Sequence, residues 1–146
     1  MRSLMSKAFF QIAETGKLDL FMSHREEYAH GEQLRDFVYV KDAVAMTLFF
    51  FENPEIGGVF NIGTGTARTW NDVASALFNA MGKERSVQYI PMPDHLRGKY
   101  QYYTCADVQK LHSVGCTHQC MTLEEAVTDY VCNYLIPGRH LGDECR

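Results

Sequence analysis

GEQLRDFVYVKDAV, residues 31–44, followed by FNIGTGTARTW, residues 60–70, decides the fold of this chain. Phe37, Val38, Tyr39 and Val40 are aromatic or β-branched and read as a strand. Asp42 stands where a helix N-cap belongs, ahead of an apolar run that reaches Phe51. Asn53-Pro54 breaks that helix, and Ile56-Gly57-Gly58 is a turn. Residues 59–62 read as a short buried strand that ends in glycine. Thr69, with Asp72 three residues on, resembles a capping box and opens a helix that runs to Met81 and is closed by Gly82.

Upstream, Leu4, Ala8, Phe9 and Ile12 recur at helical spacing, and Gly16 is a good stop, so residues 1–15 read as a helix. Residues 18–21 alternate as a short strand does, and the polar stretch 22–33 reads as a loop. Downstream, the reading is a strand at 87–90, a proline-bounded loop at 92–98 and a short helix at 106–112. Thr122 with Glu125 is a clean capping box for a last helix ending near Tyr134. Pro137-Gly138 ends structure and the tail is expected to be disordered, which sets one domain at 1–136 and a tail at 137–146. The expected class is α/β: a small sheet of short strands, with two or three pairings, packed with about four helices.

Composition narrows the function. The chain has 146 residues, 46% hydrophobic and 22% charged, which suits one soluble domain with a real core. The net charge of −4 and the scattered Lys and Arg exclude a nucleic-acid partner, which needs a clustered basic face. The longest apolar run, AVAMTLFFF at 43–51, falls far short of the ~20 residues that cross a bilayer, so no membrane partner is expected. Arg2 and Lys7 are the only basic residues in an amphipathic start, which does not read as a secretory signal. Cys105, Cys116, Cys120, Cys132 and Cys145 are odd in number and irregular in spacing, which points to reduced thiols and a cytoplasmic location.

Three constellations could carry chemistry. Gly63-x-Gly65 lies between a strand and a helix, as a phosphate-binding turn does. It lacks the third glycine and the Lys-Ser/Thr pair of nucleotide loops, so it reads as a tight turn. Arg35 stands at a strand entry, from which a guanidinium either forks onto a phosphate or carboxylate or pairs with Asp36 or Asp42. His112, Cys116, His118 and Cys120 are donor types that zinc accepts. Their spacing matches no finger pattern, and His118 and Cys120 in one extended stretch do not readily close a tetrahedron with the other two, so no metal ligand is assigned. Nothing in the sequence supplies an oxyanion site for a cysteine nucleophile.

RDFVYVKD and FNIGTG, in that order and at that spacing, resemble the C-terminal signatures of the extended short-chain dehydrogenase/reductases, the nucleotide-sugar epimerases and dehydratases. KLDLFMSHREEYAHGEQLRDFVYVKD, PMPDHLRGKYQYYTCAD and the closing LEEAVTDYV are similar to the ADP-heptose epimerase branch, and the likeness runs from about residue 1 to 134. The resemblance implies a reaction that inverts one sugar carbon through a ketone, using NADP held by an N-terminal Rossmann domain. It also implies a Tyr-x-x-x-Lys pair as general acid and base. None of the eight tyrosines here has lysine four residues later, and no Gly-x-x-Gly-x-x-Gly turn is present. The expectation is therefore a substrate-side domain with no catalytic residue, no cofactor bound by these residues alone and no stand-alone turnover.

The same resemblance implies roles for single residues. Arg35 matches the arginine that reaches the nucleotide diphosphate, and Phe21, Met22, Ser23 and His24 match the segment along the base and ribose. Tyr100, in RGKYQ, matches a tyrosine at the substrate, and Lys7 sits where the family carries a polar residue on the substrate side, often histidine. From the residues themselves, Phe21 suits a core as well as a stacking position, and Tyr100 suits a half-buried site. The expected partner is an ADP-sugar or other nucleotide-sugar. A second function is also consistent with the chain: a non-catalytic module that self-associates as a homo-oligomer through a face left apolar by a missing domain, with the helix at 1–15 as the contact.

Overall fold

The computed structural model describes residues 3–140; Met1, Arg2 and residues 141–146, among them Cys145 and most of the expected tail, lie outside the described residues. Helix α1, Leu4–Thr15, is opened by Ser3, whose hydroxyl accepts from the Ser6 amide, and closed by Gly16 in the left-handed region at φ 71°. It buries Ala8, Phe9 and Ile12 and hands the chain to strand β1, Leu18–Phe21. Strand β2 is Leu34–Asp36, helix α2 is Val40–Glu52, strand β3 is Ala67–Thr69 and helix α3 is Trp70–Ala80. Strand β4, Val87–Ile90, is followed by the short helices α4, Asp94–Arg97, and α5, Gln109–Ser113. Helix α6, Leu123–Tyr130, runs on into a π-helical turn, Val131–Leu135. Both expected capping boxes form: the Thr69 and Thr122 hydroxyls accept from the amides of Asp72 and Glu125, and those carboxylates accept in return from the cap amides.

The class is α/β as expected, with four long helices. The pairing differs: there are two separate two-stranded sheets. β1 lies parallel to β4, from Leu18 opposite Val87 to Phe21 opposite Ile90. β2 lies antiparallel to β3, from Leu34 opposite Thr69 to Asp36 opposite Ala67. Residues 102–104 run alongside β2: the Leu34 amide donates to the Tyr102 carbonyl, and the Thr104 amide donates to the Leu34 carbonyl. The main core joins α1, α3, α6 and the β1–β4 pair, with Ile12, Ala74, Leu77, Phe78 and Val131 fully buried. A second cluster, Met46, Leu111 and Cys116, lies under α2 and α5.

Several local expectations are corrected. The strand expected at 37–40 falls earlier, because Phe37 leaves the ladder to pack edge-on against Trp70, at 4.9 Å and 73°. Asp42 is not the cap of α2. Tyr39 holds that position without a side-chain bond, while Asp42 sits buried in the first turn and accepts from His118 and from the Met121 amide. Residues 59–62 form no strand: Val59 is 85% exposed, and its carbonyl is held by the Lys110 ammonium. β3 was not anticipated, and the proline-bounded loop contains the single turn α4. The polar stretch 22–33 lacks regular structure but is tied down. The Ser23 amide donates to His30 Nδ1, the His24 amide to the Tyr102 hydroxyl at 2.8 Å, and Gln33 Nε2 to the Phe21 carbonyl.

Candidate functional site

The glycine loop is an anion cradle whose anion is already part of the fold. The Asp36 carboxylate accepts from the Thr64 amide and hydroxyl through Oδ1, and from the Gly65 and Ala106 amides through Oδ2. A Cβ on Gly63 would lie 2.5 Å from the Ala106 Cβ and 2.8 Å from Asp36 Oδ2, so glycine is required by close approach. Burial alone would raise the pKa of Asp36, but the bonds from Thr64, Ala106 and Gly65 outweigh it and hold the carboxyl below its ordinary range. The tight-turn reading of this motif therefore has a physical cause. Its amides face a carboxylate and are not available to a phosphate.

The residues singled out for binding fall in three places. Lys7, Phe21, Arg35 and Tyr100 line one cavity of about 260 Å³. Leu4, Lys7, Ala8 and Gln11 face it from α1 at three- and four-residue steps, so helical periodicity delivers Lys7 to its wall. β1 contributes Asp19 and Phe21, β2 contributes Arg35, α3 contributes Trp70 and Val73, and the loop after α4 contributes Tyr100. Ser23 and His24 line a separate, shallow depression with Arg25, Tyr28 and His30. Met22 extends the β1–β4 pairing, its amide donating to the Ile90 carbonyl at 2.8 Å. A larger cavity of about 570 Å³, walled by Tyr39, Tyr130 and Tyr134, holds none of these residues.

Arg35 makes neither of the expected ion pairs. Its Nη1 donates to the Leu34 carbonyl at 2.8 Å, its Nη2 donates to the Gln101 carbonyl, and its Cζ lies 5.3 Å from the Tyr100 ring centre. Carbonyls and a ring face orient the guanidinium without neutralising it, and a guanidinium has donors to spare beyond two carbonyls. Lys7 also makes no ion pair among the described residues, so two cations face the one wall carboxylate, Asp19. Phe21 and Tyr100 meet edge to face at 6.4 Å. Burial pushes the Tyr100 phenol above its ordinary range, although Arg35 pulls it down, so it stays a donor at neutral pH. The Trp70 indole N–H faces that phenol but closes no regular hydrogen bond, leaving a buried donor without a partner. Sequence reasoning missed Trp70, Gln11 and Asp19. Gln11 was legible, four residues past Lys7 on the same helix face; Trp70 carried no signal beyond its type.

Of the four soft donors, His118 and Cys120 come together with Asp42, and Cys116 is buried in the second core. Burial, and after it the Asp42 and Asp36 carboxylates, push the Cys120 thiol up. Cys105, Cys116, Cys120 and Cys132 are free thiols.

Fold, signature stretches and relatives agree on the class that the chain is similar to, the extended short-chain dehydrogenase/reductases. Residues 1–63 match the NAD dependent epimerase/dehydratase family. More particularly, the chain is 50% identical over 135 residues to ADP-L-glycero-D-manno-heptose-6-epimerase of Nitratidesulfovibrio vulgaris (strain DP4), covering 92% of this chain and 42% of that protein. Its fold is similar to the crystal structure of the Helicobacter pylori ADP-L-glycero-D-manno-heptose-6-epimerase, at TM-score 0.69 and 25% identity, over 91% of this chain and 37% of that one. The Bacillus cereus UDP-glucuronic acid 4-epimerase, solved with a UDP-sugar and NAD, shares the fold at TM-score 0.69 and 23% identity, over 90% of this chain and 40% of that one. The chain thus spans under half the length of these relatives. No helix among the described residues is long and apolar enough to cross a membrane.

Proposed function

We propose that these residues form the sugar-nucleotide-gripping half of an ADP-heptose 6-epimerase-type isomerase. The observation that carries the reading is the convergence of Lys7, Phe21, Arg35 and Tyr100 from separate elements on one cavity. Two cations suit a diphosphate, aromatic edges suit a base or sugar face, and a protonated phenol suits a sugar hydroxyl. At about 260 Å³ the cavity is smaller than the roughly 300–1,000 Å³ that encloses a drug-sized ligand. It therefore grips one part of the nucleotide-sugar, the diphosphate with an adjoining ring.

The described residues do not fit a dinucleotide. The parallel sheet has two strands, and the glycine loop's amides are engaged by Asp36. In this reading the oxidation at the sugar carbon and its reversal are supplied by a dinucleotide-binding half outside these 146 residues, and the purified chain binds without turning over. The supporting result is a rise in melting temperature with ADP or an ADP-sugar and none with adenosine. A ligand at ten times its Kd adds about 1.4 kcal/mol, which is a shift of roughly 4 °C. No response to either diphosphate overturns the reading.

One observation favours a second reading, a self-associating module. Val40, Val44, Leu48 and Phe51 form a stripe along α2 and are 51%, 47%, 50% and 82% exposed. Exposed apolar stripes of this kind find partners. The contact would then use α2, since α1 turns Ala8, Phe9 and Ile12 inward. Light scattering is expected to report a concentration-dependent dimer that Leu48→Lys disperses. A monomer across the accessible concentration range removes this reading.

A further inference from the structure

We propose that Asp42, His118 and Cys120 form a zinc site that pins the start of α2 to the segment between α5 and α6. One donor atom from each residue lies within 4.8 Å of the other two. They come from distant parts of the chain: Asp42 from the first turn of α2, and His118 and Cys120 from the segment that leads into the capping box of α6. Spacing along the chain argued against a metal because it matches no finger pattern and His118 and Cys120, in one extended stretch, do not readily close a tetrahedron with His112 and Cys116. The fold adds the third donor, from a residue that the sequence assigns to helix capping.

The donor set selects the ion. A thiol, an imidazole and a carboxylate together suit zinc, whereas magnesium and calcium require oxygen donors throughout. Asp42 is only 3% exposed, and its Oδ2 is fixed by the Met121 amide at 3.2 Å, the kind of outer contact that orients a ligating carboxylate. Its Oδ1 meets His118 Nε2 at 2.8 Å, a bond the metal would replace by taking both atoms as ligands. His118 and Cys120 border a cavity of about 320 Å³ walled also by His112, Gly63 and Thr66, which leaves room on their side for a water as the fourth ligand. Arg68 lines the same cavity, but its guanidinium is held by Asp72 and Glu124 and does not compete for Asp42. The site would join α2 to the run that precedes α6, two parts of the chain that share no strand pairing.

The test uses the full chain, stripped of metal and titrated with Zn²⁺ and separately with Co²⁺. One equivalent of Zn²⁺ is expected to bind and to raise the melting temperature. Co²⁺ is expected to give the intense near-ultraviolet band of a thiolate–metal bond. Cys120→Ser should abolish the band, and His118→Gln should weaken Zn²⁺ binding by at least about tenfold. His112→Ala, whose ring is outside the triad, should leave affinity within about twofold. The proposal is overturned if the unaltered chain shows no Co²⁺–thiolate band, if Cys120→Ser binds zinc as tightly as the parent, or if His112→Ala costs as much as His118→Gln. Because the Co²⁺ spectrum is read on the unaltered protein, misfolding of a variant does not protect the proposal. The outcome is independent of whether ADP binds elsewhere.

Discussion

Asp36→Ala is expected to lower the melting midpoint by roughly 10 °C, the equivalent of about 3 kcal/mol for a domain of this length. The carboxylate holds the Thr64, Gly65 and Ala106 amides, and it joins β2 to the glycine loop and to the stretch before α5. Alanine leaves those three donors unpaired, each at a cost of ~1–3 kcal/mol that entering water lessens. Asn is expected to restore little. Each carboxylate oxygen receives two donors, and one of the two positions in Asn is itself a donor. The same bonds set a pH dependence. The folded-state pKa is lowered, so the contribution is fully present above the ordinary value of 3.8 and is lost as pH falls through the lower folded value. Thermal melts of the parent and Asp36→Asn between pH 7 and pH 2 should converge at the acid end. A variant that melts within a degree or two of the parent at pH 7 would refute the role given to this carboxylate.

Asp36 also shows why the sequence was legible in some places and opaque in others. The helices could be read because their determinants are local. Ser3 and Gly16 bound α1, and Thr69–Asp72 and Thr122–Glu125 open α3 and α6 within four residues each. The strand pairings could not, because each depends on a partner far along the chain: Leu18 on Val87, and Leu34 on both Thr69 and residues 102–104. The strand expected at 37–40 was misplaced by this effect. Its aromatic and β-branched residues fit a ladder equally well, and only the position of Trp70 shows that Phe37 belongs to packing. The candidate site divides along the same line. Resemblance brought forward Lys7, Phe21, Arg35 and Tyr100, and the fold gathers them. Asp42 beside His118 and Cys120 is a contact across 76 and 78 positions that no local pattern announces.

Arg35→Ala is expected to remove the thermal response to ADP and to weaken binding by roughly 10- to 100-fold, since a hydrogen bond to a charged group contributes ~1.5–3 kcal/mol. The guanidinium already holds the Leu34 and Gln101 carbonyls and lies over Tyr100, so the substitution also loosens the segment that carries the phenol. Two comparisons separate loss of a ligand contact from loss of shape. Arg35→Lys keeps the positive charge but not the planar fork, so it should retain part of the affinity while giving up the two-point contact. Tyr100→Phe keeps the ring under the arginine and removes only the hydroxyl, so it should cost about tenfold or less and leave the unliganded melting temperature close to the parent's. A purely structural arginine predicts another pattern: Lys and Ala would lower the unliganded melting temperature alike, and each would keep its ADP shift. That pattern would move the diphosphate away from this cavity. An ADP shift that survives in Arg35→Ala but vanishes in Tyr100→Phe would exclude the guanidinium as the group that meets the phosphates.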